Sequence, residues 1–299
     1  MAYRIAALVL VGLLVTAAMS VAVVTASRGE AGVPAPVLAA GREVATIAHR
    51  GASAYAPENT LPAIELAVEQ HADLVEIDVQ QTRDGVLVVI HDTTLARTTD
   101  VAELHPLRGP WRVADFTYAE LRELDAGAWF GEESTGVGEF TGVRVPTLRE
   151  VLETLEETDA GLLLEVKAPA LYPGIAQRVA DGLDGRAHWG DGGRRLIVQS
   201  FDWGFVREFA ELRPKVEVGV LGTPTAGELA EVARYADQVN PQYGSFDAAY
   251  LRQVHELGMA SLVWTIDDPE QIRATVEAGA DGVITNQPDA MRRLLYAAG

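Results

Sequence analysis

The chain has 299 residues, 48% of them hydrophobic, with 43 acidic against 24 basic residues, and so carries a formal charge of -19. That length and apolar content suffice for one large core. The acidic surplus repels polyanions over most of the surface and argues against nucleic-acid or anionic-lipid binding. No cysteine is present, which excludes disulfides and a cysteine-attached lipid.

From the N-terminus, Ile5 to Ala26 is an uninterrupted run without a charge between Arg4 and Arg28. It is long enough to span a bilayer and has the basic flank of an export signal. Residues 1–26 are therefore expected to be a signal peptide or a retained membrane anchor. Val24-Thr25-Ala26 offers small residues for cleavage, and the run exceeds a usual signal core, so both fates stay open. Export is expected, with membrane contact through this segment alone. Residues 27–42, rich in Gly, Pro and small residues, read as a tether. Residues 43–299 then form the catalytic domain.

Within that domain, apolar strand-like runs at 44–48, 74–79, 86–90, 161–166, 195–199, 216–220, 236–240, 260–265 and 282–285 alternate with amphipathic stretches. The helical stretches lie near 60–70, 117–124, 147–158, 173–184, 203–212, 226–235, 247–257, 268–278 and 288–297. Such alternation predicts a parallel α/β architecture. Thr147 with Glu150 and Thr225 with Glu228 have capping-box spacing, and Asp268 precedes a first-turn proline. The link from Val79 to Val86 is too short for a crossover helix. Asp84-Gly85 is a turn signal, so 86–90 is expected to fold back as an antiparallel hairpin and return His91 to the height of Asp78. Eight parallel strands remain. They predict a (β/α)8 TIM barrel with its site at the carboxyl ends of the strands. A doubly wound sheet is disfavoured because no Gly-rich fingerprint follows the first strand. The poorly periodic segment from about 93 to 145 reads as a small insertion over the site, after the His-Asp strand.

Chemistry concentrates where strands end: His49-Arg50-Gly51, Pro57-Glu58-Asn59-Thr60, Glu76-Ile77-Asp78, His91-Asp92 and, later, Leu164-Glu165-Val166-Lys167. Glu76 and Asp78 lie two apart on a strand and so share a face, as do Glu165 and Lys167. Three carboxylates on apolar strands incur desolvation and mutual repulsion that a bound divalent cation offsets. All-oxygen ligation suits Mg2+ or Ca2+. The plainer alternative pairs Glu76 and Glu165 with Arg50 and Lys167 as structural salt bridges. His49 and His91 each close a strand and suggest an acid and a base around the metal. Arg50 and Lys167 are candidates to attract phosphate locally against the global charge. Trp264, at a strand end, either stacks on glycerol or a choline-like cation or fills the barrel mouth. Glu58 and Asn59 are assigned supporting roles, with Thr60 capping the next helix. His71, His105, His188 and His255 lack such neighbours and read as surface or packing residues.

With these motifs in order, together with Val263-Trp264-Thr265-Ile266-Asp267, the chain from about Val44 onward resembles the glycerophosphodiester phosphodiesterases. The resemblance implies a TIM barrel with a small insertion and hydrolysis of glycerophosphodiesters to glycerol 3-phosphate and an alcohol. It further implies Glu76, Asp78 and Glu165 as metal ligands, His49 and His91 as the acid/base pair, and Arg50 and Lys167 on phosphate. A phospholipase D acting on lysophospholipids or sphingomyelin, and a silent phosphodiester-binding barrel, are the alternatives. Two positions depart from the family pattern: Asp267 replaces a common Asn, and Asn286 replaces a frequent Asp. Neither is expected to touch the metal or the histidines, so both bear on substrate contacts.

Overall fold

The computed structural model describes residues 44–133, 140–184, 186, 189 and 196–296. The expected signal or anchor, the tether and His188 lie outside the described residues. Among the described residues no helix is long and apolar enough to cross a membrane.

The strands are β1 (Ala45–Ala48), β2 (Leu74–Gln81), β3 (Leu87–Val89), β4 (Gly161–Val166), β5 (Leu196–Ser200), β6 (Glu217–Leu221), β7 (Gln238–Asn240), β8 (Leu262–Val263) and β9 (Gly282–Thr285). The helices are α1 (Leu61–Glu69), α2 (Val101–Leu104), α3 (Tyr118–Leu121), α4 (Ala128–Glu133), α5 (Leu148–Glu156), α6 (Ile175–Gly182), α7 (Trp203–Leu212), α8 (Ala226–Val232), α9 (Ala248–Glu256), α10 (Pro269–Ala278) and α11 (Pro288–Tyr296). Strand order runs β7-β6-β5-β4-β2-β1-β9-β8, all parallel, while β3 pairs antiparallel with β2. This is the expected (β/α)8 barrel. The hairpin is also as expected: Val79 faces Val89, and Ile90 N donates to Asp78 O at 2.8 Å.

The seam between β7 and β8 is the weak point of the barrel. Val239 N donates to Ala260 O at 3.0 Å and Tyr243 N to Trp264 O at 2.8 Å. The donor between them belongs to Pro241, which has no N–H. The Asn240 side chain bridges the gap by accepting from Leu262 N at 2.9 Å. The expected strand 260–265 is accordingly cut to two residues, flanked by isolated bridges Gln238↔Ala260 and Gln242↔Trp264.

Side-chain alternation along each strand separates two cores. Ile47, Leu74, Leu163, Ile197, Leu262 and Ile284 fill the barrel interior, whereas Ala48, Val75, Leu162, Leu164, Val198 and Val239 pack outward against the helices. Burying each such Leu, Ile or Val stabilises the fold by roughly 1.5–3 kcal/mol. Two residues beyond Ile47, Leu74, Leu163, Leu262 and Ile284 come His49, Glu76, Glu165, Trp264 and Asn286. The barrel interior therefore opens onto polar groups at its carboxyl end.

Helix starts follow the sequence signals. Thr147 and Glu150 close a reciprocal capping box on α5, and Asp268 accepts from Glu270 N and Gln271 N ahead of Pro269. Thr60 occupies the position before α1, but its hydroxyl donates to Pro57 O at 2.6 Å rather than accepting from the helix. The insertion after β3 carries α2, α3 and α4 and its own small core of Leu95, Val101, Val113, Phe116, Leu121 and Leu124. Val88 and Ile90 of the hairpin strand face that core, while Val89 faces the main one.

Candidate active site

The turn after β1 explains His49-Arg50-Gly51. Arg50 and Gly51 both take positive φ, 56° and 80°. A Cβ on Gly51 would lie 2.5 Å from the Ala63 carbonyl carbon, so only glycine lets the turn press against α1. The sharp reversal delivers the Arg50 backbone N–H to Glu76 Oε2 at 2.8 Å.

Glu76, Asp78 and Glu165 are buried in the barrel mouth and place one carboxylate oxygen each within 4.8 Å of one another. Asn59 clasps Asp78 from both sides, donating Nδ2 to Oδ2 at 2.8 Å and accepting from the Asp78 N–H at 3.1 Å. Lys167 Nζ lies 3.2 Å from Asp78 Oδ1 and 2.5 Å from Glu165 Oε1, and Arg50 Nε lies 3.2 Å from Asp78 Oδ2. Asp78 Oδ1, Glu165 Oε1 and Arg50 Nε nonetheless lack a hydrogen bond of good geometry, so these contacts are ionic rather than directional. The alternative of simple salt bridges is met in part: Lys167 pairs with Glu165, but the Arg50 guanidinium turns to Glu58 and Asp78 and meets Glu76 only through its backbone.

The electrostatics follow from burial. Desolvation, then Asp78 and Glu165, push the Glu76 carboxyl well above the usual range. Desolvation and Asp78 likewise push Glu165 up to about 7. Asp78 is also penalised by burial, yet Lys167 and Arg50 outweigh that and hold it below its ordinary value. Three buried carboxylates facing two cations, with buried oxygens free of hydrogen bonds, make a donor set that fits a hard divalent cation.

His49 follows β1 and His91 follows β3, and both act on the charge of Asp78. His49 Nδ1 is 2.7 Å from Asn286 Oδ1, and His91 Nδ1 is 2.6 Å from Asp92 Oδ1. Burial and the adjacent Arg50 push His49 down to about 4, so its ring is neutral at pH 7. Asn286 was expected to touch neither the metal nor the histidines; it is instead the partner of His49. The correction has a simple cause, because β9 lies beside β1 and Thr285 pairs with Ala48.

Arg97, from the insertion, escaped the sequence reading. Its Nε donates to Asp92 Oδ2 at 2.7 Å, while Nη1 and Nη2 donate to Glu58 at 2.8 and 2.7 Å. Glu58 in turn accepts from Arg50 Nη1 at 2.8 Å. A charged chain thus links the His91 partner through Glu58 to the Arg50 turn, while Asn59 holds Asp78. A cavity of about 510 Å³ adjoins the carboxylates, lined by Glu165, Lys167, Ser200, Phe201, Asp202 and Trp203. Trp264 packs on the interior core, donates Nε1 to Asn240 O at 2.8 Å and meets Phe201 edge-on with ring centres 5.5 Å apart. Of the remaining histidines, His71 is exposed, His105 packs on Phe116 and His255 pairs with Asp281 at 2.9 Å.

Residues 49–290 match the glycerophosphoryl diester phosphodiesterase family, a span that begins at His49 and takes in every site residue described above. The chain belongs to that family. A glycerophosphodiester phosphodiesterase of Bacillus subtilis is 31% identical over 97% of each chain. One from Caldanaerobacter subterraneus is 35% identical over 85% of this chain and 98% of its own. Among solved structures, a phosphodiesterase of Oleispira antarctica in complex with the product sn-glycerol-3-phosphate covers 83% of this chain and 95% of its own, at 29% identity and a TM-score of 0.72. The chain is accordingly a glycerophosphodiester phosphodiesterase-class hydrolase on a TIM barrel. Its acidic triad can hold a divalent cation.

Proposed function

We propose that this chain hydrolyses glycerophosphodiesters to sn-glycerol 3-phosphate and an alcohol, with His49 and His91 transferring protons and Glu76, Asp78 and Glu165 binding one Mg2+ or Ca2+. The observation that carries the reading is the pair of imidazoles around Asp78. Each commits Nδ1 to a protein acceptor, Asn286 or Asp92, which leaves Nε2 of each for substrate. The product bound to the Oleispira enzyme supports the same cleavage here.

When bound, the cation supplies Lewis acidity and neutralises charge on the phosphoryl oxygens. Arg50 and Lys167 add fixed positive charge beside it and orient the phosphate. His49 Nε2 accepts a proton from the attacking hydroxyl, either water or the substrate glycerol 2-hydroxyl. His91 Nε2 donates a proton to the departing alkoxide. Each such transfer is worth about 100-fold to 10,000-fold in rate. Phe201 lines the adjoining cavity with Trp264 edge-on to its ring, and this aromatic pair receives glycerol or the head group.

A substrate panel tests the reading. The purified full chain is given glycerophosphocholine, glycerophosphoethanolamine, lysophosphatidylcholine and sphingomyelin with Mg2+, with Ca2+ or with excess chelator. Release of sn-glycerol 3-phosphate from the deacylated diesters, lost on chelation, is expected. Preference for acylated substrates points to the phospholipase D alternative. We also propose export, on the strength of the Ile5–Ala26 run; activity confined to the cytoplasmic fraction contradicts it.

A further inference from the structure

Behind His49 stand two residues that no step of the reaction uses, Asp267 and Asn286. Asp267 Oδ1 accepts from Thr285 Oγ1 and from Asn286 N, both at 2.8 Å, and Asp267 Oδ2 accepts from Asn286 Nδ2 at 2.6 Å. A carboxylate only accepts, so this contact fixes which end of the Asn286 amide is which. Nδ2 faces Asp267. Oδ1 therefore faces the other way, 2.7 Å from His49 Nδ1 and 2.8 Å from Ser53 Oγ. An amide oxygen also only accepts, so the hydrogen of a neutral His49 must sit on Nδ1 and the lone pair on Nε2.

We propose that Asp267 and Asn286 form a tautomer lock that holds His49 as a proton acceptor at Nε2. Both are positioning residues, acting through His49. The device differs from a carboxylate set directly on the imidazole: the charge stands one residue back, and a neutral amide transmits its direction without placing an anion on the ring. Ser53 completes the cradle, since its hydroxyl also reaches His49 O at 2.7 Å and ties the β1 turn to the end of β9. The catalytic consequence rests on the reading of His49 as the base, but the lock itself is a statement about hydrogen bonds.

The geometry predicts what an exchange of groups does. With Asp267→Asn, the oxygen introduced at 267 remains with the two donors of residues 285 and 286, so its NH2 points at the Asn286 amide. That amide must turn, presenting Nδ2 to His49 Nδ1. The lock then inverts, and the imidazole hydrogen moves to Nε2. Adding Asn286→Asp restores an acceptor against His49 Nδ1, because the carboxylate at 286 accepts from both sides.

The test follows the imidazole nitrogens of His49 by 15N NMR in the full chain at pH 7, with kcat and KM for glycerophosphocholine measured beside it. The wild type is expected to show protonated Nδ1. Asp267→Asn is expected to show protonated Nε2 with kcat lowered about tenfold or more at similar KM, as for other loosened supporting shells. The Asp267→Asn/Asn286→Asp double variant is expected to regain the wild-type tautomer and most of kcat. Should Asp267→Asn fail to fold, Asn286→Ala serves instead, because His49 without its acceptor populates both tautomers. A wild type protonated on Nε2, or an Asp267→Asn or Asn286→Ala single variant that keeps a pure Nδ1–H signal, overturns the lock even if the enzyme turns over. Tautomers that move as stated in a chain that releases no sn-glycerol 3-phosphate leave the lock standing and overturn the functional reading.

Discussion

Asn59 holds Asp78 by a reciprocal pair of hydrogen bonds, 2.8 Å from Nδ2 to Oδ2 and 3.1 Å from the Asp78 N–H to Oδ1. Asn59 sits at φ 59°, a left-handed conformation that Asn tolerates better than most residues. Asn59→Ala strips both partners from a buried carboxylate and its backbone. Unmade buried hydrogen bonds cost about 1–3 kcal/mol, and loss of a residue that supports a metal ligand weakens the site about 10-fold to 100-fold. The expected result is a lower urea midpoint together with weaker Mg2+ or Ca2+ binding by calorimetry. An unchanged midpoint and affinity would show the clasp to be idle.

Arg97→Met should raise the pH at which the protein unfolds in acid. The Arg97 hydrogen bond, followed by the contact to His91, holds the Asp92 carboxyl at about 2, below its ordinary 3.8. A depressed carboxylate contributes stability that is present above 3.8 and lost as pH falls through about 2. Removing Arg97 moves the folded value back toward the unfolded one, so this contribution shrinks. Tryptophan fluorescence across pH 1–5 reads the shift, and coincident curves for wild type and variant would contradict it. The same variant should also lower kcat, because Asp92 is the acceptor for His91 Nδ1.

Glu76→Gln separates the cost of the carboxylate cluster from its use. In chelator the substitution removes a buried ionisable carboxyl, whose charged form Asp78 and Glu165 repel, while keeping an oxygen for the Arg50 N–H. It should therefore stabilise the metal-free protein, by about 1–3 kcal/mol by analogy with neutralised buried ions. It should also abolish the rise in Tm expected of the wild type with Mg2+ or Ca2+, and with it turnover. Thermal scans with and without the cations check both signs.

Much of this was legible in the residues. Every apolar run named as a strand is a strand, and the short Val79–Val86 link sufficed to predict the hairpin that brings His91 back to Asp78. The carboxylates and histidines were readable because each stands within or just beyond an apolar, buried strand, where a charge has no structural excuse. Asn286 was misjudged because its role depends on β9 closing against β1, which brings residues 237 positions apart into contact. A signal was present: Asn286 lies two beyond the interior-facing Ile284, as His49 lies two beyond Ile47. Arg97 gave no comparable signal, since it belongs to an irregular segment without periodicity. The break in the β7–β8 seam was marked in advance by Pro241.

We propose His49 and His91 as the proton-transfer pair of a glycerophosphodiester hydrolase. The most direct measurement is single-turnover release of sn-glycerol 3-phosphate from glycerophosphocholine by the wild type, His49→Ala and His91→Ala, each with saturating Mg2+ or Ca2+ and each verified as folded by near-UV circular dichroism. Release by the wild type and a loss of about 100-fold or more in each variant are expected. Undiminished release by either variant would contradict the assignment.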